Sequence, residues 1–197
     1  VNYHKTMNRS KYLKDTYTKM SKSQYLEGVK ERLINDVGTY FSMIDVEGSK
    51  GNMVGFWGSA RLIFPVVEAV AKTIYRKGKG NDVRVPRLLK QLNIPYPDVV
   101  WQMYRNSLAH SDHLVHISKG SRTINWSVTA SAGGVSTGHF FIHDQVHLDT
   151  RRLYEDFLAF LDIEIARATT NVYVKTGGFV SSKCSGRFCA EVDTFPS

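Results

Sequence analysis

Pro97-Asp98-Val99-Val100-Trp101-Gln102-Met103-Tyr104-Arg105-Asn106-Ser107-Leu108-Ala109-His110 is the stretch from which the rest of the chain can be ordered. It reads as an amphipathic helical run. Proline suits a first helical position because the N–H it lacks would find no partner there, and Asp98 in the first turn complements the helix dipole. At 100° per residue Asn106 and His110 are i and i+4, stacked on one face, so the amide can hold one imidazole nitrogen. That contact selects the tautomer and decides whether the other nitrogen accepts or donates a proton. Arg105 lies roughly 140° round the axis from His110, and its long side chain can converge on the same anion or serve a site completed by a second subunit. The partial negative charge of the helix C-terminus favours the imidazolium form of His110. A permanent cation, an amide and a titratable imidazole in this spacing suit phosphodiester chemistry without a metal. The structural alternative is that Arg105 pairs with a helix-end carboxylate while His110 caps the C-terminus.

Upstream, Tyr25, Val29, Leu33, Val37, Tyr40, Phe41 and Ile44 recur at helical spacing and predict a helix from Ser23 to about Asp45, with Gly38 weakening its middle. Gly48-Ser49-Lys50-Gly51-Asn52-Met53-Val54-Gly55 breaks regular structure, and it lacks the Gly-Lys-Ser/Thr ending of a phosphate-binding P-loop. Trp57 to Arg76 is mostly apolar, with Arg61, Glu68 and Lys72 on one narrow stripe, the pattern of a core helix with one edge on a cleft or interface. Pro65 must kink this helix or open a new one. Glu68 is the carboxylate placed to orient a catalytic His or Arg; the competing reading is an i,i+4 surface pair with Lys72. A loop over 77–82 precedes a short helix from Val85 to Leu92.

Downstream the period changes from 3.6 to 2. Ile124, Trp126, Val128 and Ala130 alternate with polar residues, as do Phe140, Ile142, Val146 and Leu148, and Gly133-Gly134 and Gly138 lie between. This pattern predicts a β-hairpin over about 121–148, inserted before a last long helix from Asp149 to Thr169 that buries Leu153, Phe157, Phe160, Leu161 and Ile165. His139, His143 and His147 then share the polar face of the second strand, spaced too widely for neighbours to bind one metal easily. His110, His113 and His116 would fit a metal better on a continued helix, but no Cys or carboxylate cluster completes a zinc pattern. No metal and no cofactor are therefore expected, and His113 and His116 are candidate second-line proton donors.

The 197 residues suit one domain with appendages, and the formal charge of +8 attracts polyanions. Residues 1–20 form a basic arm carrying Lys5, Arg9, Lys11, Lys14 and Lys19; residues 21–169 form the helical domain; residues 170–197 are a C-terminal extension. Cys184 and Cys189 fit a disulfide, a redox pair or two unrelated thiols, of which unrelated thiols in a reducing cytoplasm are favoured. No apolar run of membrane length is present, so no membrane partner is expected.

Arg105-Asn106-Ser107-Leu108-Ala109-His110 resembles the signature of the HEPN superfamily (higher eukaryotes and prokaryotes nucleotide-binding): Arg, then Asn, Asp or His, then three residues, then His. The resemblance spans about residues 21–168, and only the motif is specific. It implies a mainly α fold, an up-and-down helical bundle here carrying the β-hairpin insertion. It also implies a metal-independent endoribonuclease, often a toxin or defence effector with an antitoxin or regulatory partner, working as a homodimer whose two motifs face one another. Arg105, Asn106 and His110 would be the catalytic residues, supported by Glu68 and His113. Some relatives are non-catalytic nucleotide-binding, RNA-binding or dimerisation modules. One toxin branch carries a Tyr two residues after the His, where this chain has Asp112, which argues against regulation by tyrosine modification there.

Overall fold

The computed structural model describes residues 20–50, 56–75, 80–105, 117–119, 121–131 and 138–168. Residues 26–167 form one compact unit. The fold is mainly helical with a small sheet. The expected basic arm, the C-terminal extension with Cys184 and Cys189, and Asn106, His110, His113 and His116 lie outside the described residues.

The first helix, α1 (Lys22–Arg32), starts at a reciprocal cap. The Ser21 hydroxyl accepts from the Gln24 N–H at 3.1 Å, and the Gln24 side chain accepts from the Ser21 N–H at 2.9 Å, so two N–H groups that the helix leaves unpaired are satisfied. The chain then widens into a π-helical stretch, Leu33–Gly38, before resuming as α2 (Thr39–Ser49). The single helix expected over 23–45 is thus an α–π–α run whose wide segment ends at Gly38. It buries Leu26, Val29, Leu33, Val37, Phe41 and Ile44.

Helix α3 (Phe56–Ile74) runs through Pro65, which is exposed, and buries Ala60, Ile63, Phe64, Val67, Val70 and Ala71 on its other side. A fully buried side chain of the size of Phe64 contributes roughly 1.5–3 kcal/mol. Helix α4 (Asn81–Gln91) begins four residues earlier than the Val85 start expected from its apolar spacing, because Gly80, with φ of 88°, makes the turn into it. Tyr96, at φ 51°, then turns the chain into α5 (Pro97–Met103), with Pro97 in its first turn.

The sheet corrects the expected hairpin. Strands β1 (Ile117–Lys119) and β2 (Arg122–Thr129) are antiparallel neighbours, β2 pairs in parallel with β4 (Gln145–Asp149), and β4 pairs antiparallel with β3 (Phe140–Ile142), giving the order β1-β2-β4-β3. The segment 139–148 is therefore two short strands and not one. Its reversal is at His143 and Asp144, both with positive φ (47° and 62°), the backbone of the tight turns whose twist matches that of paired strands. Once β3 has folded back on one edge of β4, the other edge meets β2 running in the same direction. Trp126 lies beside Val146 and Val128 beside Leu148. His143, at the turn, does not share a strand face with His139 and His147.

Helix α6 (Thr150–Arg167) closes the core with Leu153, Phe157, Phe160 and Leu161 buried; Ile165 is half-buried, less than its spacing predicts. Asp149, fully buried, caps this helix: its Oδ1 accepts from the N–H groups of Arg151 (3.0 Å) and Arg152 (3.3 Å). Its Oδ2 accepts from the Ser131 hydroxyl (2.8 Å) and the Gly138 N–H (3.3 Å). The buried Arg151 donates to the Ser131 carbonyl (2.6 Å) and to Asp45 (2.5 Å), with its guanidinium carbon 4.8 Å from the centre of the Phe41 ring. The Ser59 and Thr150 hydroxyls, 2.7 Å apart and buried, add a further link between α3 and the start of α6. A polar knot thus ties α2, α3, the sheet and α6 together.

Candidate functional site

Trp101 and Arg105 are i and i+4 across the end of α5, so they share a face. Both meet one carboxylate oxygen. The Trp101 indole Nε1 donates to Asp82 Oδ1 at 3.0 Å, and Arg105 Nη1 donates to the same oxygen at 2.6 Å. Asp82 sits in the first turn of α4, where the helix dipole favours a negative charge. The hydrogen bond from Trp101, then that from Arg105, hold its carboxyl below the usual carboxylate range. Trp101 is 3% exposed, whereas the side chains of Arg105 and Asp82 are 53% and 64% exposed. The cation is thus held at the surface from a base locked into the core.

Tyr104, next to Arg105, is also fixed. Its ring stacks on Phe64 at 4.3 Å with 13° between planes, and lies 5.4 Å from Trp101. Burial, helped by the negative charge of Glu68, pushes its hydroxyl up to about 12, so it stays protonated and neutral. Glu68 lies on α3 as its stripe predicted. Its Oε1 takes both the Lys72 ammonium and the Asn81 side-chain amide at 2.6 Å each. The i,i+4 pair weighed against a catalytic role is therefore present, and the Asn81 bond also ties Glu68 to the residue before Asp82.

Arg105 has the helix-end carboxylate partner that the structural alternative named, and that partner is Asp82. The structure brings Arg105, Tyr104 and Trp101 together with Asp82, and sets Glu68 one residue away from that group through Asn81. The i,i+4 pairing expected for Asn106 with His110, and the role given to His113, fall on residues outside the described set. Asp82 and Trp101 were missed from the sequence. The Trp101–Arg105 spacing was a usable sign of a shared partner, but a carboxylate 23 residues away had no local signal.

The histidines of the sheet are placed differently from the expected polar row. His139 Nδ1 accepts from the Asp149 N–H at 3.1 Å, while its Nε2 is buried without a hydrogen-bond partner. Burial pulls its pKa down to about 4, against the opposing charge of Asp149. His147 Nδ1 lies 2.9 Å from the Ser127 hydroxyl, its cross-strand neighbour, and burial lowers its pKa as well. Among the described residues no group of three or more His, Cys, Asp or Glu side chains is arranged to hold a metal ion. No helix among them is long and apolar enough to cross a membrane. A groove of about 340 Å³ is lined by Glu27, Lys30, Ile34, Asp162 and Ile165, among others, and Arg105 is not among its described lining residues. No protein-family model, curated protein or solved structure matches this chain.

Proposed function

We propose that this protein is a HEPN-like, metal-independent endoribonuclease whose reacting groups are Arg105, Asn106 and His110. The observation that supports the reading most is the state of Arg105. The first residue of the Arg-Asn-x3-His motif is an exposed guanidinium held at a fixed point by Asp82, on a helix anchored through Trp101 and Tyr104. An ion pair that open to solvent is worth about 0–1 kcal/mol, so it does not prevent the same guanidinium from engaging a phosphate.

In the reaction, the ribose 2′-oxygen attacks the adjacent phosphorus while His110, as general base, takes the 2′-hydroxyl proton. The bond from phosphorus to the 5′-oxygen of the next nucleotide breaks, and that oxygen gains a proton from the acid form of a histidine in the same or a second copy of the site. The products are a 2′,3′-cyclic phosphate and a 5′-hydroxyl. Arg105 neutralises the charge that grows on the non-bridging oxygens. Asn106 orients His110 or the phosphate. A homodimer with two facing motifs would complete the site, and a toxin or defence role with an antitoxin or other regulatory partner is the biological setting this chemistry suits. A reducing cytoplasm is the compartment that fits its thiols.

End-labelled single-stranded RNA incubated in EDTA with wild type, and separately with His110→Ala purified in the same way, tests the proposal. Cleavage by the wild type alone, leaving cyclic phosphate ends, is expected; equal cleavage by both refutes the assigned site. One observation favours a second reading, a non-catalytic RNA- or nucleotide-binding module: Asp82 already satisfies part of the Arg105 guanidinium. That reading predicts RNA binding abolished by Arg105→Ala with no cleavage by any variant.

A further inference from the structure

We infer that Asp82 is the positioning residue of this site, fixing Arg105 so that its remaining donors are set for a phosphate; the inference rests on the ribonuclease reading above. A guanidinium carries five N–H donors in a rigid fork. Among the described residues it commits one nitrogen, Nη1, to a single oxygen of Asp82. That geometry leaves an edge of the fork for paired contacts to phosphate oxygens, the mode for which arginine is suited. A two-oxygen contact to Asp82 would have used that edge.

What separates this pair from an ordinary surface ion pair is the second hydrogen bond to Asp82 Oδ1. An exposed Arg–Asp pair on its own lets both side chains wander. Here the carboxylate oxygen is also held by the indole of Trp101, which is 3% exposed and packed against Tyr104. Its backbone is held in the first turn of α4. The neighbouring Asn81 is bonded to Glu68 on α3, which is in turn paired with Lys72. Arg105 is therefore registered against three helices before substrate arrives, and a cation already in place needs no reorganisation as charge develops on the phosphorane. Glu68, read from the sequence either as an orienting carboxylate or as the partner of Lys72, is paired with Lys72 and reaches this group through Asn81, one residue from the one that touches Arg105.

The test is steady-state cleavage of end-labelled RNA in EDTA by the full chain, comparing wild type, His110→Ala, Asp82→Ala, Asp82→Asn and Trp101→Phe. Asp82→Ala should lower kcat about 10- to 100-fold, the scale set by a misplaced catalytic group, with KM changed less than about threefold. Asparagine keeps an Oδ1 that accepts from both Trp101 and Arg105, so Asp82→Asn should restore most of the rate. Trp101→Phe removes the indole donor together with part of the buried ring and should lower kcat in the same direction as Asp82→Ala, with a circular dichroism spectrum like that of wild type. A kcat for Asp82→Ala equal to or above wild type overturns the inference, since Asp82 would then be idle or an obstacle to substrate. Failure of asparagine to rescue overturns it too, because charge and not placement would be at work. If wild type cleaves and His110→Ala does not, these outcomes bear on Asp82 alone. If wild type does not cleave, the ribonuclease reading and the role of Asp82 fall together.

Discussion

The Tyr40 hydroxyl occupies the space where a β-carbon on Gly58 would sit, so a side chain at this meeting of α2 and α3 must displace the Tyr40 ring. Replacing a helical glycine by alanine ordinarily stabilises a helix by roughly 0.5–1 kcal/mol. Gly58→Ala should reverse that sign and destabilise by about 1–3 kcal/mol, the cost of an overpacked contact. Gly28→Ala, in α1, meets nothing within 4 Å and should show the ordinary gain. Urea midpoints of the two variants against wild type check the contrast; a stabilised Gly58→Ala would refute the contact.

Arg151 and Asp45 are 106 residues apart in sequence and joined at 2.5 Å. Arg151→Ala removes that pair, the bond to the Ser131 carbonyl and the stacking on Phe41 together, and should cost about 3 kcal/mol. Asp45→Ala leaves the buried guanidinium its Ser131 bond and, with Asp45 itself 35% exposed, should cost less, about 2 kcal/mol. A double-mutant cycle should return a coupling of about 1 kcal/mol or more, and a coupling near zero would show that the pair carries no net stability.

His139 gives the fold a dependence on pH whose sign follows from its burial. Its folded pKa is near 4, below the ordinary 6.5, with Asp149, Asp156, Arg152 and His147 as the charged or titratable groups acting on it. Above pH 6.5 the imidazole is neutral whether the chain is folded or not, and its contribution is fully present. As pH falls from 6.5 to about 4 the unfolded chain takes up a proton that the folded chain refuses, so stability declines by at most about 3 kcal/mol. His139→Asn keeps an acceptor for the Asp149 N–H and does not titrate. Denaturation at pH 7 and pH 4.5 should show a smaller acid loss in that variant than in wild type; equal losses would place the acid sensitivity elsewhere.

Within the proposed ribonuclease mechanism, removal of His110 should lower the cleavage rate about 100-fold or more, the scale of a positioned acid or base. Arg105→Lys keeps the charge and loses the fork, so it should bind RNA at low salt yet cleave poorly. DNA of the same sequence should bind and stay intact because it lacks the 2′-hydroxyl. Filter binding beside the cleavage assay checks both statements, and cleavage of DNA would rule out attack by a 2′-oxygen.

The helices were legible because their burial obeys one period over many residues. Val29, Leu33 and Val37, and later Leu153, Phe157 and Leu161, each repeat a core position that packing enforces. Strand existence was legible for the same reason, from Trp126 with Val128 and from Val146 with Leu148. Strand partners were not. Alternation says which face is buried but not which neighbour pairs, and the true reversal at His143-Asp144 contains no glycine, while Gly133-Gly134 offered a stronger local signal. At the candidate site, Arg105 stood out from its own motif. Asp82 lay in a stretch read as loop, and its pairing depends on how α4 packs on α5, which local spacing does not encode.

The parallel joint between β2 and β4 also sets an order of events for the nascent sheet. Lys119 lies beside Arg122 in the β1–β2 pair and β3–β4 turns at His143-Asp144, so both pairs join near neighbours in sequence, cost little chain entropy and can form early. Their union cannot: Asn125 must find Gln145 and Thr129 must find Asp149 across the intervening chain, with the Asn125 N–H bonded to the Asp144 carbonyl at 2.7 Å. Asp149 is also the cap of α6, so the same closure that zips two ready-made hairpins together seats the first turn of the last helix. The β2–β4 pairing and the first turn of α6 thus share Asp149, and without that pairing Trp126, Val146 and Leu148 lose their neighbours along the joint.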